Sequence, residues 1–262
     1  MNNSYDLITG NIGVLISMPH NGQLIPDDIA CAMTATANQV PDTDWFIDKL
    51  YDFAQDLGIS IIKPNYSRYV IDLNRNIDGI NLYPGANSTE LCPMTAFNLS
   101  PLYLAGKEPN QAEIQRRITH YWQPYHQALT NTLTNMKTQY GKVVLLDAHS
   151  ILSHVPRFFT GQLPDFNFGS ADGQSCSAEL IEHIAKLDLA PYSSVINGRF
   201  KGGYITRCYG NPAENIHAIQ LELSQRTYMN EASAQYNEKK AAKVKEKLQL
   251  FVQCLADFAQ DK

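Results

Sequence analysis

The 262-residue chain is 44% hydrophobic and 10% aromatic, enough to bury one large core, and a single domain spanning residues 1–262 is expected. Its 21 Lys plus Arg against 26 Asp plus Glu give a formal net charge of -5, and the basic residues are dispersed, which argues against a nucleic-acid footprint. Apolar runs stay far below the ~18 residues of a membrane helix, and Met1–Asp6 lacks a basic region leading into an apolar stretch, so no membrane partner and a cytoplasmic location are expected.

Along the chain, a β-branched run predicts a first strand over 13–18. Thr43 then reads as the N-cap of an amphipathic helix of about four turns, with Phe46, Ile47, Leu50, Phe53, Ala54 and Leu57 on its buried side and Gly58 as its stop. Strands follow at 59–63 and 69–73, too close together for a crossover helix, which predicts a mixed sheet. Residues 74–100, through Tyr83-Pro84-Gly85, form a long Gly/Pro/Asn-rich loop of the kind that carries function. The helical pattern of Ile114, Ile118, Tyr121, Trp122, Tyr125, Leu129, Leu133 and Met136 is interrupted by Pro124, predicting two helices or one kinked helix. A strand over 142–147, a second functional loop over 151–174, strands over 194–197 and 217–223, and a C-terminal helix burying Val244, Leu248, Phe251, Val252, Leu255, Phe258 and Ala259 complete the series. Strands alternating with helices give the α/β class: one mixed β-sheet flanked by helices.

Five scattered cysteines with no CxxC pair read as reduced thiols, so histidine and carboxylate would hold any metal. His20, in Ser17-Met18-Pro19-His20-Asn21-Gly22, and His149, in Leu145-Leu146-Asp147-Ala148-His149-Ser150, both follow predicted strands, at carboxyl ends where α/β folds place ligands. Each alone reads as a hydrogen-bonded, partly buried histidine, whereas the pair can converge on one ion. Catalytic zinc takes three protein ligands and keeps a fourth position for water. Asp44, in the first turn of the predicted 43–58 helix, either binds a cation or complements the helix dipole. Asp147 is a candidate acceptor that fixes an imidazole tautomer.

On the 217–223 strand, Gln220, Glu222 and Ser224 share one face, opposite Ile219, Leu221 and Leu223. A carboxylate in so apolar a strand needs a partner. Glu222 therefore either pairs with Arg226 or caps a helix, or it serves as general base beside a metal-bound water, a combination that hydrolyses amides. Asn74-Arg75 offers a planar fork for an anionic group, with a surface salt bridge as the alternative. Arg68, Arg157, Arg199 and Arg207 lie in or beside the Gly- and aromatic-rich loops, where some join Arg75 and others are ordinary loop arginines.

Six stretches taken together, the His20 and His149 segments, Asp42-Thr43-Asp44-Trp45, Ser67-Arg68-Tyr69-Val70-Ile71-Asp72-Leu73-Asn74-Arg75, the run from Asn197 to Arg207 and Gln220-Leu221-Glu222-Leu223, resemble the N-formylglutamate amidohydrolase family from about Gly13 to Met229. The resemblance implies an α/β fold related to the zinc carboxypeptidases (phosphorylase/hydrolase-like). It also implies hydrolysis of N-formyl-L-glutamate, a small dicarboxylic N-acyl amino acid, to formate and L-glutamate in histidine degradation. By matching position it makes His20 and His149 ligands of one Zn2+ or other divalent ion, Glu222 the general base and Asn74-Arg75 the carboxylate-binding pair. The carboxypeptidase pattern His-x-x-Glu is broken, because Gln23 stands three residues after His20. Asp44 becomes the expected third ligand, with Asp42 its rival. Deacylases of other N-acyl amino acids, carboxypeptidases and a non-catalytic anion-binding module of the same fold are the alternatives, and intact His20, His149 and Glu222 argue against the last.

Overall fold

The computed structural model describes residues 3–79 and 87–261. Its strands are β1 (Tyr5–Ile8), β2 (Val14–Ser17), β3 (Ser60–Pro64), β4 (Val143–Ile151), β5 (Phe166–Gly169), β6 (Ser194–Ile196) and β7 (Ile216–Ser224). They form one sheet in the order β1-β3-β2-β4-β7-β5-β6, with a separate two-stranded ribbon of β8 (Met229–Asn230) and β9 (Gln235–Tyr236). The four central strands β3, β2, β4 and β7 run parallel, whereas β1 on β3 and β5 on β7 are antiparallel. The sheet is thus mixed as expected, but its antiparallel pairs come from β1 and β5, two strands the periodicity did not single out.

Helices cover both faces. The helices α2 (Ile47–Leu50), α5 (Ala178–Ala185) and α7 (Glu238–Gln260) lie over the face that carries Val14, Ile16, Val144, Leu146, Ala148, Ile219, Leu221 and Leu223. The opposite face, with Leu15, Ile62, Val143, Leu145 and Ala218, packs under α1 (Asp27–Ala30), α3 (Gln111–Arg117), α4 (Gln123–Tyr140) and α6 (Tyr204–Tyr209). Strand alternation assigns each residue to its face. Toward the carboxyl ends of β4 and β7 that second face turns polar: Asp147 and His149 follow Leu145, and Gln220 and Glu222 follow Ala218. Among the described residues no helix is long and apolar enough to cross a membrane.

Three predicted elements are corrected. The 69–73 strand is absent: residues 68–70 and 73–74 form turns, and residues 71–72 between them belong to no strand. Side chains and loop backbone satisfy its polar groups instead, with Arg117 Nη1 donating to the Val70 carbonyl (3.0 Å) and Asp72 N–H donating to the Leu91 carbonyl (2.7 Å). The four-turn helix from Thr43 is reduced to α2 and a 3-10 turn at Asp52–Ala54. Phe46 adopts a left-handed backbone (φ 60°) and Thr43 donates its hydroxyl to the Val40 carbonyl rather than capping a helix, so Asp44 sits in a turn before the helix. Finally, β4 continues to Ile151, which places His149 within the strand instead of after it. The Tyr83-Pro84-Gly85 part of the 74–100 loop lies outside the described residues, and β5 forms within the predicted 151–174 loop.

The expected division into two helices is seen as α3 and α4, although Pro124 does not break the helix that contains it. It occupies the first turn of α4, where a missing N–H costs nothing, directly after a π-turn at Ile118–Trp122 that joins α3 to α4. At the start of α3 the Glu113 carboxylate bridges Arg116 (2.7 Å) and Arg117 (2.8 Å). The hydrogen bond from Arg116 is foremost in holding the Glu113 carboxyl down to about 2, against 4.5 in the unfolded chain. The stabilisation it contributes is complete above pH 4.5 and fades as pH falls toward 2. Thermal melts from pH 6 to pH 2 should therefore show Glu113→Gln less stable than the parent above pH 4.5 and converging on it at the acid end; a constant difference across that range would refute the assignment.

Candidate active site

Strand ends and loops bring His20, Asp44 and His149 together. All three are buried, and one ligand atom from each lies within 4.8 Å of the others. Ligand atoms around a tetrahedral zinc stand roughly 3.4 Å apart, so the donors fit an ion with a small inward movement. His20 arrives on the turn after β2, whose backbone carbonyl accepts from Asp44 N–H (3.1 Å) and so ties the two segments together. The His20 Nε2–H donates to Asp72 Oδ1 (2.7 Å), which leaves Nδ1 bare and facing Asp44 Oδ2 at 3.8 Å. His149 turns Nδ1 to the same Asp44 Oδ2 (3.0 Å), while its Nε2 lies 3.1 Å from Asp147 Oδ1. Each imidazole thus presents one nitrogen to the centre; Asp72 is hydrogen-bonded behind His20, the arrangement that orients metal-binding histidines, whereas behind His149 the Asp147 carboxylate lies close without a hydrogen bond to the ring and Asn74 is the hydrogen-bonded neighbour.

Charge in the cluster calls for a cation. Burial opposes charge at every group here, yet His149 and His20 beside Asp44 hold its carboxyl below the ordinary range. His20 and Arg68 hold Asp72 well below it. Burial and the Arg68 guanidinium keep His20 neutral, as a ligand must be. Asp147 and Asp44 overcome the burial of His149 and hold its pKa well above the usual value. Three buried carboxyl groups, Asp44, Asp72 and Asp147, thus face the single guanidinium of Arg68, which donates to Asp72 (2.8 Å) and stands 3.9 Å from Asp44. Once both histidines are neutral, as ligands must be, two negative charges remain over Arg68, the charge of a divalent ion.

Glu222 lies beside His149, since the two are register partners on the adjacent parallel strands β4 and β7. Both line a cavity of about 90 Å³ together with His20, Arg68, Asn74 and Arg75. Burial pushes the Glu222 carboxyl up to about 8. Arg226, its expected partner in the structural reading, pairs with Asp165 instead (2.7 Å). Asn74 Nδ2 lies 2.8 Å from His149 Nε2, and the Ile205 N–H, donating to its Oδ1 (2.8 Å), fixes the amide orientation. Gly203 packs against that amide so tightly that a Cβ there would overlap it. The Arg75 guanidinium donates to the Thr89 carbonyl, the Thr89 hydroxyl and the Asn74 carbonyl; of its five N–H groups two remain for the cavity, one on each terminal nitrogen.

The other expected residues divide. Arg68 and Arg199 line the cavity, and Arg199 also donates to the Phe158 carbonyl (2.6 Å). Arg207 and Arg157 do not line it: Arg207 donates to the Gly202 carbonyl, and Arg157 braces Thr95 and Ala96. Asp42 stands outside the three-residue group and accepts from the Phe97 N–H (2.8 Å). Gln23 is exposed. Sequence reasoning missed the role of Asp72, although it lies inside a quoted motif, and the aromatic wall of Phe97, Phe158 and Phe200. The signal for Asp72 was an acidic residue inside an otherwise apolar run.

The family model described as N-formylglutamate amidohydrolase matches residues 12–229. The chain belongs to the N-formylglutamate amidohydrolase family. It is 49% identical over 224 residues to the N-formylglutamate deformylase of Pseudomonas putida, covering 85% of this chain and 84% of that one. The same enzyme of Pseudomonas aeruginosa is 46% identical over the same shares. A crystal structure of N-formylglutamate amidohydrolase from Ralstonia eutropha superposes with a TM-score of 0.84 at 26% identity, over 98% of each chain. A gene product of Agrobacterium tumefaciens, 16% identical over 98% of this chain and 96% of its own, shares the fold at a TM-score of 0.73.

Proposed function

We propose that this chain hydrolyses N-formyl-L-glutamate to formate and L-glutamate at one divalent ion, zinc foremost, held by His20, Asp44 and His149. The convergence of these three side chains, with Asp72 and Asp147 behind the two imidazoles, carries the reading. Such an ion supplies a Lewis acid that polarises the formyl carbonyl and acidifies a water. Glu222, made a stronger base by its burial, takes the proton of the attacking water and delivers it to the departing amino nitrogen. Arg75 and Arg199 bind the two substrate carboxylates, because a buried carboxylate needs a charge-assisted donor. Asn74 orients the substrate beside His149, and Phe97, Phe158 and Phe200 keep bulk water out. Five free cysteines support a cytoplasmic setting.

Metal analysis of the purified protein, paired with product release from N-formyl-, N-acetyl- and N-peptidyl-L-glutamate, tests the whole reading. About one equivalent of divalent metal and formate release at least 100-fold faster than acetate release are expected. Faster release of acetate or of an amino acid would transfer the chain to a deacylase or a carboxypeptidase.

Arg75 gives a second test. Lysine keeps the charge and loses the planar fork, so Arg75→Lys should lower kcat/KM for N-formyl-L-glutamate by about 10- to 1000-fold with the metal retained. Its preference over N-formyl-L-glutamine should shrink as well. An unchanged ratio between the two substrates would move the selecting role to Arg199.

A further inference from the structure

Trp122 and His126 stand one helical turn apart at the start of α4, and their ring N–H groups hold the two carbonyls that flank Asn74. His126 Nε2 donates to the Leu73 carbonyl (2.9 Å) and Trp122 Nε1 donates to the Arg75 carbonyl (3.0 Å). A carbonyl only accepts, so the proton of His126 is on Nε2. Burial pushes the His126 pKa down to about 4, and the Tyr209 hydroxyl lies between the His126 Nδ1 (2.8 Å) and the His126 carbonyl, to which it donates (3.1 Å). The Trp122 and His126 rings stack with centroids 3.7 Å apart, and the Tyr209 ring lies nearly parallel to His126 at 11°. Both rings are therefore fixed in position and in hydrogen-bonding direction.

The π-turn at Ile118–Trp122 makes this grip geometrically possible. One extra residue in a helical turn rotates everything after it by about 100° relative to what came before. Up to that point α3 directs Arg117 and Ile118 inward; beyond it, Trp122 and His126 reach the Leu73–Arg75 segment. That segment belongs to no strand, so it has no ladder to hold it. Neither ring lines the cavity that Asn74 and Arg75 enter.

We propose that Trp122 and His126 are positioning residues that set Asn74 and Arg75 at the substrate end of the cavity from behind. The proposal rests on the reading that Arg75 binds a substrate carboxylate, and the experiment separates the two. Trp122→Phe keeps a stacking aromatic ring and removes the N–H together with the five-membered ring that carries it. His126→Phe removes both ring nitrogens, and His126→Gln restores an amide donor. In the metal-loaded enzyme, Trp122→Phe should raise KM for N-formyl-L-glutamate by about 3- to 10-fold, the equivalent of one net hydrogen bond, with kcat within twofold and metal content unchanged. His126→Phe should act in the same direction and His126→Gln should recover most of its loss. In an Arg75→Lys background Trp122→Phe should add less than twofold, because its effect passes through Arg75.

If Trp122→Phe and His126→Phe both leave KM unchanged while Arg75→Lys raises it, the positioning role is overturned and the substrate reading stands. An equal rise in both backgrounds also overturns it, since the rings then act elsewhere. If Arg75→Lys itself leaves KM unchanged, the carboxylate-binding reading falls and the positioning role falls with it. Should His126→Phe fail to fold, Trp122→Phe and its Arg75→Lys double variant decide the matter.

Discussion

Replacing Glu222 by Gln should lower kcat by roughly two to four powers of ten, the range for loss of a general base, while metal content and thermal stability stay close to those of the parent. The amide preserves the shape of the side chain and its contact with Gln220 Nε2 (3.5 Å), but it cannot accept the proton of the attacking water. Strand β7 is secured independently of the side chain, since Asn167 Nδ2 donates to the Glu222 carbonyl (3.0 Å) and the backbone pairs on both sides. A loss of activity in this variant is thus a loss of chemistry. Steady-state kinetics with formate detection, together with metal analysis of the same sample, measures it. Turnover within a fewfold of the parent would reduce Glu222 to a buried polar group of the strand.

Removal of the metal should have the second large effect. Chelation should abolish formate release, and added zinc should restore it. Stability should fall as well, because the ion binds the folded chain and not the unfolded one: an ion present at 1,000 times its Kd contributes about 4 kcal/mol. For a chain of this size that corresponds to a drop in Tm of roughly 10 °C on chelation. Asp44→Ala should show the same two losses without a chelator. It also strands the Ser150 N–H, which donates to Asp44 Oδ2 at 3.0 Å. Full activity in metal-free protein would overturn the metal mechanism, and normal metal affinity in Asp44→Ala would reassign the third ligand.

Much of this was legible in the sequence where local pattern and tertiary structure agree. The central strands β2, β3 and β4 announce themselves by apolar runs, and β7 by the alternation of Ile219, Leu221 and Leu223 with polar residues. Helix α7 is equally plain, since one stripe of it is apolar over six turns. His20, His149 and Glu222 stand out as polar residues in or next to such runs. The 69–73 segment misled because Tyr69-Val70-Ile71 is buried like a strand, yet it packs against α4 and Arg117 and never joins the ladder. Thr43 misled because the chain between Thr43 and Phe46 is bent to aim Asp44 at two histidines, and no local propensity encodes that demand. Asp72 shows the limit from the other side. Its partners His20 and Arg68 are 52 and four residues away, and the nearer one alone reads as an ordinary helix-type pair.

The pairing of β4 with β7 sets a boundary on how this site can be altered. His149 and Glu222 face each other across a ladder of nine matched residues, so their separation follows from the ~4.8 Å spacing between neighbouring strands, and a slip of one residue would leave the two on opposite faces of the sheet. Arg75, Arg199 and Phe158 hang from loops whose length and course can drift without disturbing that ladder. Laboratory evolution toward bulkier acyl groups or other amino acids should accordingly collect its changes in the loop half of the cavity and leave the strand half untouched. A library confined to β4 and β7 would yield mostly unfolded or inert clones, whereas one confined to residues 87–97, 152–165 and 198–201 would keep the hydrolytic apparatus and vary what reaches it.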